Sequence, residues 1–110
     1  MRYLADVDLL ATAVEAACRE ADPAFRRINI EILGNTDAFV HTHIWPRHEW
    51  ERPELVTKPV WQYEPTNWSD PETALGPQHD ALRARIADHL HRLAGEDETV
   101  GPKPRGRLSA

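Results

Sequence analysis

His41 and His43 are the residues of this chain whose types and spacing best suit chemistry. They lie in the run Phe39-Val40-His41-Thr42-His43-Ile44-Trp45. On a strand, every second side chain points the same way. Phe39, His41, His43 and Trp45 then share one face, and Val40, Thr42 and Ile44 share the other. With a rise of about 3.3 Å per residue, the two imidazoles stand roughly 6–7 Å apart at Cβ. That spacing serves two chemistries. One ring can attack a phosphate while the other donates a hydrogen bond to it, or both can ligate a metal. A metal needs a third ligand, and His48, Glu49 and Glu51 lie beyond Pro46 on an aperiodic segment. Two partly exposed strand histidines without any chemistry are the structural alternative.

The strand needs a partner. Residues 27–33 alternate, with Ile28, Ile30 and Ile32 on one side and Asn29 and Glu31 on the other. Three β-branched residues at period two favour a strand. Gly34-Asn35-Thr36-Asp37 has turn chemistry. Residues 38–45 then read as the antiparallel return strand, which Pro46 closes because it has no ladder donor. Ahead of this hairpin, residues 3–21 predict a helix. Leu4, Val7, Leu10, Ala11, Val14, Ala17, Cys18 and Ala21 recur at helical spacing, and no Gly or Pro interrupts them. Asp22-Pro23 ends it. Cys18 on that stripe reads as a small core residue rather than a reactive thiol.

Residues 47–76 are irregular and carry Pro53, Pro59, Pro65 and Pro71. Trp50, Trp61 and Trp68 predict that this arm packs on the domain, with a short strand at 60–63. Residues 77–94 predict a second helix, opened by Pro77, striped by Leu82, Ile86, Leu90 and Leu93, and capped by Gly95. His79, His89 and His91 fall mostly off the stripe and read as solvated. Residues 95–110 read as a disordered tail whose Lys103, Arg105 and Arg107 are solvated. The predicted class is α+β. A small antiparallel sheet packs on a long N-terminal helix, with the arm and a C-terminal helix completing one domain over residues 1–94.

A length of 110 residues allows one domain and a thin core. The net charge of −5 argues against a nucleic-acid polymer as partner, while leaving room for a basic pocket that takes a small phosphate ligand. No apolar run reaches the length of a membrane span. Met1 leads straight into a helical pattern, so no secretory signal is expected. The single Cys18 cannot form an internal disulfide, which suits the cytoplasm.

The string from Phe39 through His41, His43, Ile44, Trp45 and Pro46 to Arg47 resembles the signature of the histidine-triad superfamily. That signature is His-x-His-x-His, two apolar residues and often Pro-Arg. Asn29-Ile30-Glu31-Ile32 is similar to the family strand with an asparagine near its start, and Gly34-Asn35-Thr36 falls where the family has its polar loop. The likeness extends to actinobacterial diadenosine tetraphosphate hydrolases through the Trp-rich arm and the Gly76-Pro77-Gln78-His79-Asp80 helix start, and it spans residues 1–93.

The resemblance implies a mechanism. His41 would attack the α-phosphorus of a nucleotide and form a covalent phosphohistidine intermediate, which water resolves. His43 would bind phosphate oxygens. Asn35 and Thr36 would contact phosphate, Asn29 would support the loop or reach the sugar, and Arg47 joins the substrate-binding set. The expected partner is a small nucleotide such as a dinucleoside polyphosphate, without a cofactor. The family commonly dimerises, so a homodimer is implied. Two departures matter. Phe39 stands at the first triad position. The family domain also begins with further strands that build most of the base and ribose pocket, whereas this chain opens at the helix. A sheet lacking them has an open edge that invites pairing. Three readings result: a histidine-triad nucleotide hydrolase or nucleotidyl transferase, a nucleotide-binding or interaction module without turnover, and a small metal-binding domain using His41 and His43.

Overall fold

The computed structural model describes residues 2–35 and 38–100. The protein is α+β, with two long helices and a two-stranded antiparallel sheet. Helix α1 spans Arg2–Ala21, strand β1 Phe25–Leu33, strand β2 His41–His48 and helix α2 Asp80–Val100.

Helix α1 begins and ends close to where its periodicity predicts. Beyond Ala21, the Asp22 carboxylate accepts the Ala24 amide at 2.8 Å and the Asp22 carbonyl accepts the Phe25 amide at 3.0 Å. Those two bonds replace the helical ladder at Pro23 and turn the chain directly into β1. Ala13 and Ala17 are completely buried, and Ala11, Cys18 and Phe25 nearly so. Ala11 and Ala13 lie about 200° apart around a helix of 3.6 residues per turn, so α1 is covered on two sides. The sheet packs on one side and α2 on the other. The alanines permit this close approach. Leu4 and Leu10, expected on a single inward stripe, are instead exposed.

The strands pair with Arg27 opposite Arg47, Asn29 opposite Trp45, Glu31 opposite His43 and Leu33 opposite His41. A bulge between Phe25 and Arg27 shifts the register at the start of β1. The return strand is displaced from its expected bounds. It starts at His41 rather than residue 38 and runs through Pro46 to His48. Pro46 lies opposite Ile28 inside the ladder. In a two-stranded sheet each strand keeps an outer edge, and a proline whose nitrogen faces that edge removes no ladder bond. The connection between the strands is correspondingly longer than a four-residue turn. Gly34 does not adopt a left-handed φ, and a Cβ there would make only ordinary contacts, with the Phe39 carbonyl oxygen at 3.5 Å and the Val40 Cα at 3.7 Å. Its conformational freedom is therefore not what makes this turn.

After β2 the arm is a succession of short 3-10 turns, at Val60–Gln62, Pro65–Trp68 and Pro71–Thr73. The strand expected at 60–63 is a 3-10 turn because the Tyr63 amide bonds back to the Val60 carbonyl at 3.0 Å. Trp50, Trp61 and Trp68 are 66%, 66% and 55% exposed, so they do not bury the arm as expected. A 3-10 turn at Pro77–His79 leads into α2, and the His79 ring accepts the Gly76 amide at 3.2 Å. Helix α2 continues through Gly95 to Val100, so Gly95 is no cap and the predicted tail boundary falls inside the helix. Residues 101–110 lie outside the described residues. His89 is not solvated. Its Nε2 bonds the Glu20 carboxylate at 2.9 Å, and Arg85 bonds the same carboxylate at 3.2 Å, which ties α2 to α1. Among the described residues, no helix is long and apolar enough to cross a membrane.

Candidate functional site

The polar face of the hairpin is a row of rings. Phe39, His41, His43 and Trp45 follow one another with centroids 5.5, 5.2 and 5.3 Å apart. His43 stacks nearly parallel on Trp45, at 10° between planes, and Trp68 from the arm lies 5.9 Å beyond Trp45. The period-two reading of β2 thus places His41 and His43 as neighbours on one half-buried face. Trp45 is held by its indole N–H, which donates to Glu31 Oε1 at 3.1 Å.

His41 has one fixed nitrogen. Its Nδ1 lies 3.2 Å from the Phe39 carbonyl oxygen. A carbonyl only accepts, so Nδ1 carries the proton in this contact. In the neutral ring the lone pair is then on Nε2. The bond runs to the main chain, so it does not depend on which side chain stands at position 39.

Arg47 has a different place from the one expected. It is 2% exposed, and its guanidinium is fully occupied by the protein. Nε and Nη2 donate to the Glu51 carboxylate at 2.9–3.1 Å, Nη1 to Asn29 Oδ1 at 2.6 Å and to the Lys58 carbonyl at 2.7 Å, and Nη2 to the Leu55 carbonyl at 3.0 Å. Tyr63 and the His48 amide add donors to Glu51 at 2.6 and 2.8 Å. Burial alone would push the Glu51 carboxyl up, but these hydrogen bonds outweigh it and hold the pKa low. The bond from Glu51 strengthens the charged form of Arg47, and burial pushes the Tyr63 hydroxyl up. Arg47 therefore fastens the proline-rich arm to the sheet and has no free donor for a substrate. Asn29 is drawn into the same network through its carbonyl oxygen. Asn35 is exposed on the connection between the strands, and Thr36 lies outside the described residues.

No family model, curated protein or solved structure matches this chain.

Two clefts flank the row of rings. One, of about 210 Å³, is almost wholly apolar and lies between Trp50, Val60, Tyr63, Asn67 and Trp68. The other, of about 460 Å³, follows β1. Neither of these two is lined by His41 or His43, which are half-buried between Phe39 and Trp45. Among the described residues, no group of three His, Cys, Asp or Glu side chains is placed to hold a metal ion. The reasons are local. Glu31 faces Trp45, Glu51 faces Arg47, and His48 stacks on Trp50 at 4.5 Å. The metal-binding reading of His41 and His43 thus lacks its third ligand there.

Glu31, Trp68 and Glu51 have roles here that their sequence positions do not announce: Glu31 holds Trp45, Trp68 extends the row of rings, and Glu51 binds Arg47 rather than a metal. Glu31 was legible as a polar-face residue of β1, and the register sets it opposite His43. Trp68 and Glu51 come from the arm, where no periodicity announces a direction.

Proposed function

We propose that this protein is a nucleotide hydrolase or nucleotidyl transferase of the histidine-triad type, acting on a dinucleoside polyphosphate or a similar nucleotide. The observation that carries the reading is the His41 ring held through Nδ1 by the Phe39 carbonyl, with His43 beside it. The likeness of residues 39–47 to the histidine-triad signature supplies the reaction class.

In this mechanism the Nε2 lone pair of His41 forms the bond to the α-phosphorus. The bond from phosphorus to the leaving oxygen breaks, and the electron pair departs with that oxygen. His43 donates a hydrogen bond to the phosphoryl oxygens as their charge develops. Water then attacks the phosphorus, the N–P bond breaks, and His41 recovers its lone pair. The base stacks on the exposed edge of the Trp45 and Trp68 pair, for which every base has a suitable face. Phe39 is compatible with this chemistry because the orienting acceptor is a backbone oxygen.

Arg47, whose donors are all taken within the protein, gives none to a phosphate, and this favours a second reading, a nucleotide-binding module without turnover. Incubation with diadenosine tetraphosphate separates the two. The hydrolase reading expects mononucleotide products that vanish in His41→Ala while nucleotide binding survives. Binding without products in the native protein leaves only the module.

A further inference from the structure

The cleft beside β1 carries a feature that the nucleotide reading does not use. Residues 26–31 line it without a gap, and residues 56–59 form part of its lining across from them. Side chains of a strand alternate between two faces. Six consecutive residues line one cleft only if it follows the edge of the strand, and Arg47 of β2, which lines it too, shows that it also reaches over the sheet face. β2 occupies the other edge of β1, so this edge is the unpaired one.

Its backbone polarity follows from Pro46. Lacking an N–H, Pro46 sits in a pair whose backbone groups point away from each other, and its opposite number is Ile28. Alternation along an antiparallel ladder then turns the amides and carbonyls of Ile28, Ile30 and Ile32 outward. Among the described residues, no loop or turn donates a backbone hydrogen bond to them or accepts one from them.

The side chains specify what would pair there. Arg27 and Lys58 are exposed, and neither has an ion pair or a side-chain hydrogen bond among the described residues. Arg26 adds a third cation, shared with Glu49 at 3.2 Å. The one acid lining the cleft, Glu31, already accepts from Trp45. This is a cationic edge on a chain of net charge −5. On the opposite face, Ile30 and Ile32 are 47% and 45% exposed.

We infer that the outer edge of β1 is a strand-addition site for an extended segment of another protein, one that alternates apolar and acidic residues. Its main chain completes the ladder on Ile28, Ile30 and Ile32. Its apolar side chains lie beside those isoleucines, and its acidic ones lie beside Arg27 and Lys58. Other occupants fit the charge less well. Residues 101–110 carry Lys103, Arg105 and Arg107 and no acid. Edge-to-edge pairing with a second copy through β1 would bring two cationic edges together.

The probe is a fluorescein-labelled octapeptide of alternating valine and glutamate, titrated into the full chain by anisotropy. Saturable binding is expected, weakened by salt and weakened about tenfold or more in Arg27→Glu/Lys58→Glu. A valine–lysine octapeptide should show the reverse preference. Amide hydrogen exchange at Ile28 and Ile30 should slow when the valine–glutamate peptide is bound. Circular dichroism confirms that the charge-reversed variant is folded, since both sites are exposed. Absence of saturable binding, or binding indifferent to the charge reversal, overturns the inference. Displacement of the peptide by inorganic tripolyphosphate with equal protection of the two amides overturns it in favour of an anion site. Self-association of the native chain through this edge, seen by sedimentation and altered in Arg27→Glu/Lys58→Glu, overturns it in favour of a second copy.

Discussion

Replacing Arg47 with methionine keeps most of the side-chain length but removes the guanidinium. Glu51 is then left as a buried carboxylate, since its side chain is only 9% exposed. Asn29 Oδ1 and the carbonyls of Leu55 and Lys58 lose their donor as well. Removing one partner from a buried ion pair costs about 3–5 kcal/mol, because the other charge stays desolvated. A domain of this length has roughly 5–15 kcal/mol in total, so the loss is a large share of its stability. The apparent Tm should fall by about 12 °C or more. Urea denaturation followed by circular dichroism measures the loss directly. A second variant tests the cause. Arg47→Met/Glu51→Leu removes both charges and should recover part of the loss, since an apolar pair of similar volume avoids the desolvation penalty. Recovery is partial because the orphaned carbonyls remain. A loss below about 1 kcal/mol in Arg47→Met, the level of an exposed pair, would refute the claim that this network fastens the arm. A double variant less stable than the single one would refute the assignment of the cost to Glu51.

Three further outcomes are expected. The folded pKa of Glu51 lies below its ordinary 4.5, so its contribution is complete above that pH and is lost as pH falls through the folded value. Urea midpoints between pH 7 and about pH 3 should therefore decline less steeply in Glu51→Gln than in the native protein. Cys18 is 2% exposed and its thiol is pushed up by burial and then by Asp22, so a disulfide reagent should modify it only at the rate of unfolding, and rapid native labelling would contradict the packing of α1. Phe39→Ala should change diadenosine tetraphosphate turnover by less than about tenfold, because the bond to His41 comes from the main chain; a far larger loss would mean that the ring itself does chemistry.

The parts of the fold that follow local periodicity were legible. The apolar spacing before Asp22 locates α1, and the alternation of Ile28, Ile30 and Ile32 locates β1. The same alternation puts His41 and His43 on one face, as found. Strand ends were not legible, because whether Pro46 stops a strand depends on which edge its nitrogen faces. Arg47 reads as the end of a signature, yet its acceptors come from the arm, at sequence separations of 4 to 11, and from Asn29 on β1, 18 residues away. A proline-rich segment offers no period from which those contacts could be anticipated. His89 and Glu20 meet across 69 residues, and only the packing of α1 on α2 brings them together. The tryptophans mislead for a related reason. Their size suggests burial, but among the described residues there is no fully buried large side chain to pack them against.

The central claim is that His41 Nε2 forms a bond to phosphorus. The direct measurement is rapid quenching of the native protein and His41→Ala with diadenosine tetraphosphate or an adenosine phosphoramidate, followed by mass spectrometry of the digested chain. A nucleotidyl group on the peptide that contains His41, absent from His41→Ala together with turnover, is the predicted result. Turnover that persists in His41→Ala, or a native protein that yields neither adduct nor product, contradicts it.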